Sequence, residues 1–430
     1  MGFSLKEYLT GNGARDAQTR RLSLRANALW NSVGSVFYQG CQWLLTVLVV
    51  KVSAGYADAG TLAYAMTIGN IFSPIAVYGM RVFQVSDVKN RYSQSAYFGF
   101  KYLTMALAAI VSAVYACAIT SNLPLLVTVL LYLFFKADES LSISAYAVDQ
   151  KAYRMDYIGV SQLLRGVASL LGFAGTLYLT HDINAAVIAM TLMCFAITLL
   201  YDLPHASRFG SVLPSISKTE AFGLLKSCLP IVLSNVFCGM VVSVVRQYFG
   251  NIAGTEPLGI YASVATPSVI VQLLASYLYN PAIAPLAEKW QSGNLVTFKR
   301  ALLKVVGAMG AACLAMIAVL SLFGNALLVL FYGQEISNYS YLLPMVMVST
   351  ALIAYMWFAT DLFVVMRQLV DPLIASAIAL AASCASMVPM VSAFGMAGVN
   401  YAIVIGLALG IVFFCIRLFA CLRQRASEID

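Results

Sequence analysis

Four basic residues lie within or beside long apolar stretches of this 430-residue chain: Lys51, Arg81, Lys136 and Arg246. An ionisable residue inside a membrane span costs about 2.5–3.5 kcal/mol on insertion scales, so such residues are candidates for function. A cation about 4 Å from a phosphate charge gains about 4 kcal/mol at an effective dielectric constant near 20. These residues therefore indicate binding of an anionic group, and they would repel a cationic ligand.

Three acids share the same apolar surroundings and are candidates for ion coupling. Asp138 and Glu139 closely follow Lys136, and Asp361 has no basic neighbour within a helical turn. Asp361 either carries a proton or cation or packs between helices. Lys136 either lines a cavity or pairs with Glu139, since a spacing of three brings two side chains together on a helix. Lys51 and Arg246 either line the same cavity or extend to the outer interface.

Polar residues recur at helical spacing in the stretches that hold these charges. In the first stretch they follow one another at steps of three and four, which places them on one helical face: Asn31, Ser35, Tyr38, Gln42 and Thr46. Similar stripes contain Asn70, Arg246 and Gln272. Such stripes either join helices through hydrogen bonds or line a water-filled cavity between two lobes. We predict that the polar residues that bind substrate are Asn31, Gln42, Asn70 and Gln272.

The elements that position these residues are predicted to be transmembrane helices. The chain is 61% hydrophobic and 10% charged, whereas a soluble domain is near 45–50% apolar and about one quarter charged. Stretches of about 20 apolar residues cross a bilayer core about 30 Å thick, and lipid-exposed backbone must satisfy its own hydrogen bonds. We predict an all-α integral membrane protein with about twelve spans at 28–52, 61–79, 100–119, 123–147, 158–179, 184–203, 225–248, 258–282, 301–322, 342–366, 372–392 and 398–420.

Positive charges orient this predicted bundle. Most of the 26 Lys and Arg residues lie at the N-terminus, after even-numbered spans or at the C-terminus, and short loops rich in these residues stay in the cytoplasm. Both termini are therefore predicted to be cytoplasmic, with two six-helix lobes related by a parallel pseudo-two-fold repeat. The predicted divisions are a basic segment 1–27, an N-lobe 28–203, a linker 204–224, a C-lobe 225–420 and a tail 421–430.

Several classes of chemistry are disfavoured by what the sequence contains. The nine cysteines are scattered singly and the two histidines are His181 and His205, so neither a disulfide framework nor a metal or redox site is predicted. The positive charges follow membrane topology, which disfavours nucleic acid as a partner. No catalytic residue and no cofactor are predicted.

Two stretches beside the candidate residues form recognisable motifs. The first runs from Met80 to Asp87, and the second follows Glu139-Ser140 and runs from Gln150 to Ser161. Both resemble cytoplasmic loops of bacterial polysaccharide flippases of the O-antigen or capsule type, within the multidrug/oligosaccharidyl-lipid/polysaccharide exporter (MOP) superfamily. The resemblance implies twelve helices in two lobes that move undecaprenyl-pyrophosphate-linked sugars outward by alternating access. It also implies the bacterial cytoplasmic (inner) membrane as location, with the lipid-linked glycan, membrane lipids and other polysaccharide-assembly proteins as partners.

The resemblance also assigns roles to individual residues. It implies that Arg81 lies at the cytoplasmic mouth, near an entering pyrophosphate, and that Lys136 lies in the inner wall of the first lobe. The residues in the matched loops would form latch or ion-pair contacts: Asp87, Arg91, Arg154 and Asp156. Ile143 departs from the pattern, because an acid is expected shortly after the Glu-Ser pair.

Two other functions compete with the flippase. A multidrug and toxin extrusion antiporter usually carries a coupling acid in the first-lobe helices, whereas the predicted spans 28–52 and 61–79 contain none. A polytopic glycan polymerase or ligase needs a sizeable outer loop or an acidic cluster, but the longest outer segment, 323–341, has one acid, Glu335. We therefore predict a transporter, not an enzyme.

Overall fold

The computed structural model describes residues 22–53, 55–87, 91–366 and 368–427, and the chain is helical over nearly all of these ranges. The prediction of an all-α fold is confirmed. In the described ranges the α-helices are α1 (Leu24–Val52), α2 (Ala57–Val77), α3 (Met80–Ser86), α4 (Gln94–Ile119), α5 (Leu123–Lys151), α6 (Met155–Thr180), α7 (Ile183–Ile197), α8 (Leu203–Ser207), α9 (Lys218–Ala253), α10 (Thr255–Ala265), α11 (Val269–Gln291), α12 (Leu295–Tyr332), α13 (Leu343–Val365), α14 (Val370–Phe394) and α15 (Met396–Ser427). A π-helical turn, Thr198–Asp202, joins α7 to α8, and 3₁₀ turns cover Thr266–Ser268 and Gln334–Leu342.

Within the described ranges, ten helical segments are long and apolar enough to cross a membrane. The predicted spans 123–147 and 258–282 are not among them. The first of these is nevertheless one unbroken helix, α5, whose second half carries Lys136, Asp138 and Glu139. The second is divided between α10 and α11 by a 3₁₀ turn. Helix α2 begins before its predicted span, so Asp58 lies in its first turn.

The chain divides into two compact units, Met1–Val232 (unit 1) and Leu233–Asp430 (unit 2). The first part of the segment predicted as a linker, 204–212, is packed onto the rest of unit 1, whereas most residues from 213 to 219 are exposed. The Gln94 side chain donates hydrogen bonds to the carbonyl oxygens of Ala206 and Gly210, and Val212 is buried against Phe98. The N-terminal residues 1–21 and Lys89, part of the predicted cytoplasmic positive charge, lie outside the described residues.

Helix α5 is the central element of unit 1. Asn122 caps its first turn by accepting a hydrogen bond from the Leu125 amide, and Pro124 occupies an early position that needs no amide donor. The side chains of its middle portion are mostly buried, although many are polar. They contact α1, α2, α4, α6 and α7, so α5 determines how the polar groups of unit 1 are placed.

In unit 2 the closest helix packing joins α14 and α15. A Cβ atom at Gly398 would overlap the Met390 carbonyl, and one at Gly406 would overlap Ser383 and the Ala379 carbonyl. The two helices can therefore approach only because glycine has no side chain at these positions.

Candidate functional site

Lys136 and Glu139 form an ion pair on the surface of α5. Their Nζ and Oε2 atoms are 2.7 Å apart, and the two side chains remain 18% and 24% exposed. The Tyr38 hydroxyl of α1 donates a hydrogen bond of 3.1 Å to Glu139. A Cβ atom at Gly69 of α2 would lie 2.9 Å from the Tyr132 ring and 3.3 Å from Lys136 Cγ, so glycine leaves room for both side chains. The pairing that the sequence left open is therefore present, and the pair is still accessible.

A second and fully buried set of charges lies on another face of α5. The Arg165 guanidinium of α6 is 2.5 Å from Asp138 Oδ2, and both side chains are 2% exposed. Arg165 also donates to the hydroxyls of Ser142 and Thr198, and the Thr198 hydroxyl donates to Asp138 Oδ1. Asp202 Oδ2 is 3.8 Å from Arg165. We call these five residues, which come from three helical segments, the Arg165 network.

Sequence reasoning identified Asp138 but missed Arg165 and Asp202. Arg165 lies inside the predicted span 158–179, and Asp202 lies near the end of the predicted span 184–203. The signal that could have found them was an arginine and an acid within two neighbouring apolar stretches. Arg165 is 27 positions from Asp138 and 33 positions from Thr198 along the chain, so no local spacing indicated the contact.

Lys101 of α4 is a third buried cation in unit 1. It lies at the start of the predicted span 100–119, and it is only 1% exposed. Its Nζ atom donates to the Ala76 carbonyl at 2.8 Å and to the Ser140 hydroxyl of α5 at 3.1 Å. Because α2 ends at Val77, Ala76 carries one of the last carbonyls of that helix. Lys101 therefore stabilises the negative end of the α2 dipole.

The two motif stretches contact each other directly. Arg81 of α3 donates a 3.0 Å hydrogen bond to the Gln150 side chain, and Lys151 Nζ donates a 2.7 Å bond to the Asp87 carbonyl. Tyr78 and Gly79 adopt left-handed backbone conformations between α2 and α3, which turns the chain so that α3 lies against the end of α5. Arg81 is half-buried at this contact.

Asp87 organises the loop that follows α3. One carboxylate oxygen accepts a hydrogen bond from the Arg91 amide, and the other accepts from the Tyr92 amide and the Tyr97 hydroxyl. Burial disfavours the charged form of Asp87, but these hydrogen bonds and the nearby Lys151 outweigh it, and its pKa lies below the usual value.

The second motif contains an ion pair of its own, as predicted. Arg154 binds both carboxylate oxygens of Asp156, at 2.9 and 2.7 Å. The guanidinium also lies 4.1 Å from the centre of the Tyr157 ring. This arrangement closes the turn between α5 and α6.

The polar stripe of α1 contacts α6 at two positions. Ser35 donates to Gln162, and Gln42 donates to Ser169, each at 3.1 Å. The Asn31 Oδ1 atom is buried and has no hydrogen-bond partner among the described residues. Together with Tyr38, which bonds to Glu139 of α5, three members of the stripe therefore join helices. Lys51 and Asn70 are exposed, and substrate binding by these residues and by Gln42 and Asn31 stays a prediction.

Unit 2 holds the remaining predicted residues in separate places. The Arg246 guanidinium lies 5.2 Å from the centre of the Tyr261 ring, and the Tyr261 hydroxyl donates a 2.7 Å hydrogen bond to Asn400. Asp361 of α13 interacts with the Tyr279 hydroxyl of α11. Gln272 is half-buried on α11. The roles assigned to Arg246, Gln272 and Asp361 stay predictions.

Unit 2 also contains an ion pair that the sequence did not indicate. Arg417 of α15 binds both carboxylate oxygens of Asp371, at 2.9 and 3.2 Å. Asp371 is 7% exposed and Arg417 is 40% exposed. Within the described part of the chain, no group of three or more His, Cys, Asp or Glu residues is placed to hold a metal ion.

Comparison with known proteins gives one curated relative and several similar folds. No protein-family profile matches the chain. The capsular polysaccharide biosynthesis protein CapF of Staphylococcus aureus is 22% identical over 311 residues, which cover 70% of this chain and 76% of CapF.

The solved structures that resemble the chain are membrane transporters. The lipid II flippase MurJ in an inward closed conformation has a TM-score of 0.72 at 12% identity, over 93% of this chain and 90% of MurJ. An inward-facing multidrug resistance MATE family transporter of the MOP superfamily has a TM-score of 0.61 at 13% identity, over 97% and 99% of the two chains. The chain is therefore a multi-pass membrane protein with the fold shared by the MurJ flippase and the MATE transporters of the MOP superfamily.

Proposed function

We propose that this protein is a flippase that moves undecaprenyl-pyrophosphate-linked oligosaccharide repeat units from the cytoplasmic to the outer leaflet of the bacterial inner membrane, for export of a surface polysaccharide. Two comparisons support this substrate class. The fold is that of a lipid II flippase, and the curated relative is a capsular polysaccharide biosynthesis protein. We propose alternating access as the mode of transport and the lipid-linked glycan as the partner.

The observation that carries the proposal is the accessible Lys136–Glu139 pair. Lys136 keeps 18% of its side chain exposed although it lies within a long apolar helix, and Arg81 is half-buried where the two motifs meet. A diphosphate could replace Glu139 as the partner of Lys136. Each close charge pair contributes about 4 kcal/mol at an effective dielectric constant near 20, so the net gain over Glu139 is that of the additional phosphate charge. Arg165 is not suited to this task, because its donors are engaged with Asp138, Ser142 and Thr198.

A deletion and complementation experiment tests the proposal. Deleting the gene in its native host should trap the lipid-linked intermediate on the inner leaflet, and the wild-type gene should restore export. Lys136→Ala and Arg81→Ala should insert normally but restore little export, while the matched control Lys299→Ala, an exposed cation of unit 2, should restore it fully. Unchanged surface polysaccharide without any trapped intermediate in the deletion strain would contradict the proposal.

The second candidate function is a cation-coupled multidrug and toxin extrusion antiporter. The fold likeness to a MATE transporter favours it, as does the position of Asp361 inside α13. The cations at Lys136 and Arg81 disfavour it, since they would repel a positively charged drug. Drug-resistance profiling separates the two functions: an antiporter predicts increased sensitivity of the deletion strain to cationic drugs, whereas the flippase predicts unchanged sensitivity with trapped glycolipid.

A further inference from the structure

The Arg165 network contains two acids but only one cation. Asp138 binds Arg165 directly and also accepts a hydrogen bond from the Thr198 hydroxyl, so each of its carboxylate oxygens has a partner. The Oδ2 atom of Asp202 is farther from the same guanidinium, 3.8 Å from a terminal nitrogen of Arg165. This oxygen has no hydrogen-bond partner among the described residues. The Asp202 side chain is 1% exposed. With both acids ionised, this buried site would carry a net negative charge.

The backbone places Asp202 in this position by a local irregularity. The α-helical hydrogen bonding of α7 changes to a π-helical turn at Thr198–Asp202, and both end residues of the turn are buried. Such turns insert an extra residue into a helix and occur frequently at functional sites. Here the turn brings both the Thr198 hydroxyl and the Asp202 carboxyl to Arg165.

An uncompensated carboxylate in a buried apolar site is costly, and such groups become neutral by taking up a proton. Arg165 cannot lose its proton to balance the site, because a guanidinium stays charged in proteins. Both carboxylate oxygens of Asp138 are already engaged, one by Arg165 and the other by the Thr198 hydroxyl. Asp202 is therefore the member of the network that can gain or lose a proton without breaking the Arg165–Asp138 pair.

A second buried acid links Asp202 to the loop between α5 and α6. Asp149 of α5 is 2% exposed, has an unpartnered Oδ1 atom, and interacts electrostatically with both Asp202 and Asp156. The hydroxyls of Ser142, Ser161 and Tyr146 lie among these acids. The titratable and charged groups that face Asp202 are Asp138, Tyr146 and Asp149 from α5, Arg165 from α6, and Cys194 and Tyr201 from its own helical segment.

We propose that Asp202 is a proton-binding carboxyl inside unit 1, and that Asp149 connects it with the loop that carries Asp156. Chains of acids and hydroxyls of this kind carry protons in membrane pumps and transporters. Asp202 is not among the candidates for ion coupling taken from the sequence, although Asp138 of the same network is. The proposal does not depend on which substrate the protein carries.

Infrared difference spectroscopy on the full-length protein in lipid nanodiscs tests the proposal directly. Stepping the pH should produce the carbonyl stretch of a protonated carboxyl that shifts in heavy water. This band should be lost in Asp202→Asn, which is nearly isosteric. It should be retained in the matched control Asp371→Asn, where the acid of unit 2 is already balanced by Arg417. Asp149→Asn should keep the band but slow its appearance after a rapid pH jump.

A band that persists at full amplitude in Asp202→Asn, or its absence from the wild-type protein at every pH, would overturn the proposal. Ser161→Ala serves as a second variant if Asp202→Asn does not fold. It removes a hydroxyl that hydrogen-bonds to the Asp202 carboxyl, so the frequency of the Asp202 band should shift, and an unshifted band would count against the assignment. Because no substrate is added, failure here is distinguishable from failure of the proposed flippase function.

Discussion

The two units of the molecule hold their charges in different ways. In unit 1, Arg165 is 2% exposed and its partner Asp138 is equally buried, between α5, α6 and α7. In unit 2, Arg417 binds both carboxylate oxygens of Asp371, but it is 40% exposed near the end of α15. An exposed pair adds little to stability, whereas a buried pair has a large desolvation cost that its mutual attraction only partly offsets.

This difference indicates that stability alone does not account for the Arg165 network. Well-packed apolar residues of similar volume are often as stabilising as a buried ion pair, and the rest of the α5 surface in unit 1 contains many of them. The accessible Lys136–Glu139 pair lies on the same helix within one turn of Asp138. Unit 1 therefore concentrates its charge chemistry on a single helix, and the fixed Arg165 network holds that helix against its neighbours.

Among the variants that compare the two units, Arg165→Met should cause the largest loss of the free energy of unfolding. Removing the guanidinium leaves Asp138 buried without its partner, and breaking a buried ion pair costs about 3–5 kcal/mol. We expect a large loss of the free energy of unfolding, measured on purified protein in detergent by thermal or denaturant unfolding. A double variant, Arg165→Met with Asp138→Leu, should recover much of this loss, because it removes the ion pair and leaves only Asp202, which can become neutral by taking up a proton.

A small effect of Arg165→Met, below about 1 kcal/mol, would place the pair in the class of exposed ion pairs. Failure of the double variant to recover stability would mean that Arg165 acts mainly through the Thr198 and Ser142 hydroxyls. Either result would remove the contrast between the two units.

The second largest loss of the free energy of unfolding should come from Asp87→Asn, in the motif loop of unit 1. The asparagine loses one charged acceptor, and hydrogen bonds to a charged group contribute about 1.5–3 kcal/mol. Because the pKa of Asp87 is lowered in the folded protein, its stabilisation is present above the ordinary aspartate value of about 3.9. It is lost as the pH falls through the lower folded value.

Unfolding should be measured from about pH 3 to about pH 7, a range that includes the ordinary aspartate pKa. The measurement checks the direction of this pH dependence. The difference in the free energy of unfolding between the wild-type protein and Asp87→Asn should be largest at the upper end of this pH range and should decrease as the pH is lowered. A difference that is constant over this range would show that the charge of Asp87 is not involved.

A smaller loss of the free energy of unfolding is expected at Gly69 of unit 1, which packs against the accessible Lys136. In Gly69→Ala the new methyl group lies 2.9 Å from the Tyr132 ring and 3.3 Å from Lys136 Cγ. Crowding of this kind costs about 1–3 kcal/mol, partly offset by the better helix propensity of alanine. We expect a net loss near 1 kcal/mol and reduced export, with Lys136 displaced.

The matched control is Gly307→Ala in unit 2, where a Cβ atom meets nothing within 4 Å. This change should stabilise α12 by about 0.5–1 kcal/mol. Equal export by both variants would indicate that the position of Lys136 next to Gly69 has no role in transport.

The sequence allowed much of the fold to be predicted, because span length and helical spacing are local properties. The i, i+3 spacing of Lys136 and Glu139 is enough to bring them together on any helix, and the structure contains this pair. The contact of the two motif stretches at Arg81 and Gln150 could not be predicted in the same way, since it depends on left-handed turns at Tyr78 and Gly79.

The buried part of the site escaped prediction for a physical reason. Lys101 and Arg165 look like ordinary positive charges in the sequence, and their burial follows from which helices become neighbours. Asp202 reaches Arg165 only through a π-helical turn, and no residue pattern marked that turn. The positions of the charged groups of unit 1 therefore depend on contacts between helices that are distant in the sequence and on one local irregularity, and not on composition.

The smallest effect, and the direct counterpart of Arg165→Met, is expected for Arg417→Met in unit 2. Asp371 loses a bidentate partner that is 40% exposed. Asp371 itself is 7% exposed, but water enters from the side that Arg417 leaves, so the cost should be at most the upper limit for exposed pairs, about 1 kcal/mol, and should decrease further in high salt. Unfolding of the two arginine variants at low and high salt gives the comparison. A loss for Arg417→Met as large as that for Arg165→Met, and insensitive to salt, would mean that unit 2 also depends on a desolvated charge pair, and the difference between the units would then lie in Asp202 and not in burial.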